Sequence, residues 1–125
     1  MTKQPIITKK QALLLTRDMW DLIADKGINK YDACNMVKGS RNQPFNSCFL
    51  CEYASSHKRI KDGNSCNCPI WGKWGETRKL ACADKNGYYD MYLWASNSDK
   101  PIWAKKIADA CREELEKIRI KAAKE

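Results

Sequence analysis

Cys48-Phe-Leu-Cys51, then Cys66-Asn-Cys68-Pro69, then Cys82 place five of the seven cysteines within one stretch, Asn46 to Cys82. Fourteen residues separate Cys51 from Cys66, and thirteen separate Cys68 from Cys82. Thiolates two or three positions apart on a turn can aim at one ion, and a second such turn can complete a tetrahedron around it. The stretch therefore predicts a structural metal centre, zinc first, that shapes the middle of the chain. The C-x2-C knuckle needs both Cys48 and Cys51. Cys68 and Cys82 are favoured for the other two places, with Cys66 competing for that of Cys82. His57, the only histidine, offers a Cys3His alternative with Cys48, Cys51 and Cys66, although beside Lys58 and Arg59 it reads first as an exposed residue. An iron–sulfur cluster is the competing cofactor, because Cys68-Pro69 resembles the Cys-Pro that ends some cluster-binding runs. The irregular cysteine spacing weighs against it.

A structural role suits the energetics. Zinc binding supplies roughly 10–16 kcal/mol in small fingers, against a net stability of about 5–15 kcal/mol for a domain. A catalytic zinc would keep an open position and a base beside it. Here thiolates suffice to fill the coordination sphere, and the nearest acids, Glu52 and Glu76, sit in no motif. No phosphate-cradling loop or nucleophile elbow is present. The chain is expected to be non-enzymatic, with no small-molecule substrate.

Working outward, the 125 residues are the size of a single domain, 1–125. A hydrophobic fraction of 43% with 30% charged residues is that of a globular protein. No apolar run approaches the roughly eighteen residues of a membrane helix. Leu13-Leu14-Leu15, cut short by Arg17 and Asp18, is no signal-peptide core. Cytoplasmic residence follows as an expectation, in host cytoplasm if the chain is viral. A reducing compartment disfavours disulfides and fits an odd number of cysteines. Cys34 and Cys111 lie outside the cluster in amphipathic patterns and are expected in the core, as small hydrophobes. The net charge of +8 favours anionic partners.

Residues 1–7 read as a flexible tail. Thr8 is a plausible N-cap, Ala12, Leu15, Met19, Leu22 and Ile23 recur at helical spacing with Trp20 beside them, and Gly27 ends the helix. Asn29 opens a shorter helix through Tyr31, Ala33, Cys34, Met36 and Val37, closed by Gly39, so that residues 8–39 form an N-terminal helical pair. The cysteine-rich segment spans 46–82. Tyr88 to Trp94 is apolar and aromatic, and at that length periodicity leaves strand and helix open. A final helix over 98–122 is capped by Ser98 or Asp99, has Pro101 in its first turn, and carries Trp103, Ile107, Cys111, Leu115 and Ile118 on one face. The predicted fold is mainly α, with helices packed around a small irregular or β zinc-knuckle region.

Cys48-Phe-Leu-Cys-Glu-Tyr-Ala54, Cys68-Pro-Ile-Trp-Gly72, Cys82 and a downstream aromatic segment with Trp94 resemble a family of small cysteine-rich, zinc-finger-like proteins of tailed bacteriophages. The resemblance covers about residues 44–110. Two features depart from the pattern: Cys66-x-Cys68 stands where C-x2-C precedes the proline, and the aromatic spacing differs from Tyr-x-x-Trp. It implies metal binding and a viral origin, not an activity.

Three function classes remain. A protein-interaction factor that binds a host or phage protein fits the small size and the metal-held loop. A nucleic-acid-binding module would use Lys58, Arg59 and Lys61 between the cysteine turns and Trp71, Lys73, Trp74, Arg78 and Lys79 after them, cations for phosphates and rings for bases. Against that, the tryptophans can equally cover the metal or fill the core while the lysines solvate the surface. A zinc-bracketed histidine nuclease needs more histidines than the one present.

Overall fold

The computed structural model describes residues 6–42, 48–50, 52–53 and 88–124. Among these the protein is mainly helical: α1 (Lys9–Lys26), α2 (Lys30–Val37), α3 (Tyr88–Trp94) and α4 (Lys100–Lys124). No strand occurs among the described residues, and none of their helices is long and apolar enough to cross a membrane.

α1 begins with a reciprocal capping box. The Thr8 hydroxyl accepts from the Gln11 backbone N–H at 3.1 Å, and the Gln11 side chain accepts from the Thr8 N–H at 3.0 Å. Two otherwise unpaired donors of the first turn are satisfied. Ile7, expected in the tail, is instead wholly buried just before the cap, while Ile6 is exposed. An apolar residue in that position packs back onto the first turns and fixes how the chain enters the helix. Gly27 ends α1 with φ +68°, its N–H bonded to the Ile23 carbonyl at 3.0 Å. That left-handed conformation is why glycine stands there. Asn29 caps α2 by accepting from the Asp32 N–H at 2.8 Å. Only Ala33 and Cys34 of α2 are buried; Tyr31 and Met36 are exposed.

Tyr88 to Trp94 is helical. Its tyrosines at 88, 89 and 92 share one face, as a 3–4 spacing requires. Trp20 of α1 meets two of them edge-on, Tyr92 with centroids 5.0 Å apart and Tyr89 at 6.0 Å. The last carbonyls of α3 find a donor in Lys100, whose Nζ bonds the Tyr92 and Leu93 oxygens at 2.8 and 3.1 Å and lies over the Tyr92 ring. A cation at a helix C-terminus also complements the dipole.

α4 starts and ends about two residues later than its sequence pattern suggests. Its 25 residues make it about 37 Å long at ~1.5 Å per residue, longer than α1. The two helices run antiparallel: Arg112 of α4 pairs with Asp21 near the end of α1, while Arg119, further along α4, shares a groove with Lys10 at the start of α1. Ile107 and Cys111 are wholly buried as expected, and Trp103, Leu115 and Ile118 are half-buried against the core. The deepest positions also include Ala104 and Ala108. With Leu13, Met19, Trp20 and Ile23 of α1 they form one buried cluster in which small and large side chains pack together. Thr16 is the only buried polar residue described, and its hydroxyl has no hydrogen-bond partner among the described residues.

Candidate metal centre

The first cysteine turn enters the helical core. Phe49 and Leu50 are helical and wholly buried, and the Glu52 N–H bonds the Cys48 carbonyl at 3.1 Å, closing one helical turn. Cys48 is half-buried against the same core, as is Tyr53. A second tie is electrostatic: Arg41, just past α2, pairs with Glu52 at 2.5 Å, both side chains being largely buried. The segment that starts the C-x2-C motif is thus positioned by two apolar anchors and one shielded ion pair.

That placement couples Cys48 electrostatically to the two cysteines assigned to the core. Cys34 and Cys111 are wholly buried, as their amphipathic context predicts. Burial pushes the Cys34 thiol up, Lys30 and Lys38 pull it back, and Cys48 and Glu52 push it up again. The Cys111 thiol is raised to about 12, first by burial and then by the neighbouring Cys48. Both core thiols therefore stay protonated at neutral pH and sense the same third sulfur. Sequence reasoning kept Cys34 and Cys111 apart from the cluster; their helical register alone gave no signal of this coupling. None of these three cysteines forms a disulfide. Among the described residues no group of three or more His, Cys, Asp and Glu side chains is arranged to hold a metal, so Cys34, Cys48 and Cys111 do not make a site by themselves.

No family model matches the chain, and no curated protein or solved structure matches it.

The remaining candidate ligands, Cys51, Cys66, Cys68, Cys82 and His57, lie outside the described residues. So do Lys58, Arg59, Lys61, Trp71, Lys73, Trp74, Arg78 and Lys79 of the basic and aromatic set. Of the predicted site, the structure places Cys48. Cys48 is a half-buried thiol packed against the helical core, a donor type that zinc takes.

Proposed function

We propose that this protein is a small, non-enzymatic accessory module whose cysteine-rich segment is held by a structural zinc ion and which binds a host or viral macromolecule. The observation that carries this reading is the docking of the Cys48 turn: Phe49 and Leu50 are fully buried in the helical core. An ion that fixes the sulfur of Cys48 relative to Cys51, Cys68 and Cys82, or Cys66 in place of Cys82, then fastens the segment to rigid helices. The thiolate-rich donor set closes the coordination sphere, which is the arrangement of structural rather than catalytic sites. The likeness of the knuckle sequence to small proteins of tailed phages supports a viral accessory role, in the cytoplasm of the infected cell. The partner is a host or phage protein first. The net charge of +8 favours nucleic acid as the second reading, through Lys58, Arg59, Lys61, Trp71, Lys73, Trp74 and Arg78.

Metal analysis of the purified protein together with its visible spectrum tests the cofactor. Stoichiometric zinc and a colourless solution are expected; a charge-transfer band with bound iron would assign an iron–sulfur cluster, and metal-free folded protein would remove the site. Capture from bacterial lysate with and without nuclease tests the partner class. A partner retained after nuclease fits protein binding, and one lost with nuclease, with affinity falling steeply in salt, fits nucleic acid.

A further inference from the structure

α1 and α4 run antiparallel, so the start of α1 and the end of α4 meet at one end of the helix pair, where Lys10 and Arg119 line the same groove. The two helix dipoles oppose one another there, the positive end of α1 beside the negative end of α4, and their partial charges largely cancel. What remains is full charge. Lys9 and Lys10 in the first turn of α1, and Lys121 and Lys124 in the last turn of α4, are all exposed. None of the four has a carboxylate partner among the described residues, whereas the adjacent cations do: Arg17 holds Asp18, Lys117 holds Glu114 and Arg119 holds Glu116. Lys121 and Lys124 suit the C-terminus of α4, so the fold accounts for them. Nothing in the fold accounts for Lys9 and Lys10. They sit at the positive end of their own helix, and the first turn of α1 contains no acid, whereas α2 places Asp32 in its first turn. A local choice that works against the helix it belongs to marks a position serving something other than the fold.

We propose that this cationic end contacts the phosphodiester backbone of a nucleic acid, without regard to its sequence. Four ammonium groups on long stems, spread over two helix ends, act as point charges that meet phosphates in any register. An arginine fork grips one carboxylate or phosphate in a fixed geometry instead, and the arginines nearby already hold Asp18 and Glu116. A lipid surface fits less well. The apolar stripe of α4 is spent on the core, and Ile6 and Ile120 are isolated exposed side chains, not the continuous apolar face that an interfacial helix buries. A partner helix needs apolar anchors here as well, and Ile118, between Lys117 and Arg119, is packed against the core. The surface is separate from Lys58, Arg59, Lys61 and Arg78, so it deepens the nucleic-acid reading of the module with a contact of its own.

This contact rests on the nucleic-acid reading, and its test separates the two. The probe is a fluorescently labelled DNA duplex of about 20 base pairs, titrated with the full-length, metal-loaded protein at several salt concentrations and followed by anisotropy. Four phosphate contacts add about 3.6 to the steepness of log affinity against log salt, or about 150-fold in affinity between roughly 50 and 200 mM. The variant Lys9→Gln, Lys10→Gln, Lys121→Gln, Lys124→Gln should lose that share of the slope, each lysine pair accounting for about half. The loss should be the same on a duplex of unrelated sequence. The Lys9→Gln, Lys10→Gln pair should melt no lower than the wild type, since it removes charge opposed to the α1 dipole; a clearly lower midpoint would tie these lysines to the fold and overturn the proposal. A wild type that does not bind the duplex, or binds it indifferently to salt, overturns the proposal together with the nucleic-acid reading. A quadruple variant with the wild-type slope overturns the proposal alone and leaves that reading to Lys58–Arg78. Tighter binding to anionic vesicles or to a polyglutamate peptide than to the duplex, lost in the quadruple variant, assigns the surface to another partner and also overturns it.

Discussion

Replacing Phe49 by alanine reports on whether the cysteine-rich segment is part of the folded core or an appendage to it. The side chain is fully buried and sits one residue after Cys48, so its removal deletes a whole aromatic ring and leaves a cavity between the turn and the helices. Phe→Ala changes at such sites cost about 3–5 kcal/mol. For a chain of this size, with total stability of about 5–15 kcal/mol, that is a large share of what holds the helices together. Urea unfolding followed by helical circular dichroism should give a midpoint displaced by that amount with an unchanged slope. The measurement becomes specific to the metal when repeated after chelation. If the ion acts through the docked turn, stripping it should cost the Phe49→Ala variant less than it costs the wild type, a coupling a double cycle reads directly. A loss below about 1 kcal/mol, or additive effects of mutation and chelation, would refute the coupling between turn and core.

Four further outcomes follow from the same packing. Cys111 has a folded-state pKa of about 12, above its ordinary value near 9, so the stability it contributes is intact below pH 9 and lost as pH rises toward 12. The slope is up to about 1.4 kcal/mol per pH unit; Cys111→Ala should flatten that alkaline limb relative to wild type. Thr16→Val replaces a buried hydroxyl lacking a partner among the described residues, and it should be neutral or raise stability by about 1 kcal/mol in thermal melts. Glu52→Gln breaks the shielded pair with Arg41 and should cost about 1–3 kcal/mol and slow refilling of the apo protein by zinc. Asp21→Asn, which leaves Arg112 only its neighbour Asp109, should cost about 1 kcal/mol, less in high salt.

Much of the helical frame is written locally. Thr8 with Gln11, Asn29 before Asp32, and Gly27 after Lys26 are short-range signals, and each acts in the structure as its chemistry suggests. The buried faces of α1, α2 and α4 follow from 3.6-residue spacing, including the burial of Cys34 and Cys111. Tyr88 to Trp94 is too short for periodicity to decide; its helical state is favoured by Trp20 packing on Tyr89 and Tyr92 and by Lys100 closing its C-terminus. Ile7 was illegible for a similar reason, since a lone isoleucine before a cap becomes core only once α1 packs on its neighbours. The electrostatic coupling of Cys48 to the Cys34 and Cys111 thiols is tertiary, between residues distant in sequence. No spacing rule encodes it. The other predicted ligands, and the basic aromatic set from Lys58 to Arg78, fall outside the described residues.

The melting temperature of the purified protein, before and after its metal is removed by a strong chelator, addresses the structural role of the ion most directly. Several kcal/mol of zinc binding, at ~3–5 °C per kcal/mol for a domain of this size, should lower the midpoint by more than about 10 °C, and re-adding zinc should restore it. A chelated protein that melts where the untreated one does, with all its helicity retained, would contradict a metal-fastened cysteine segment.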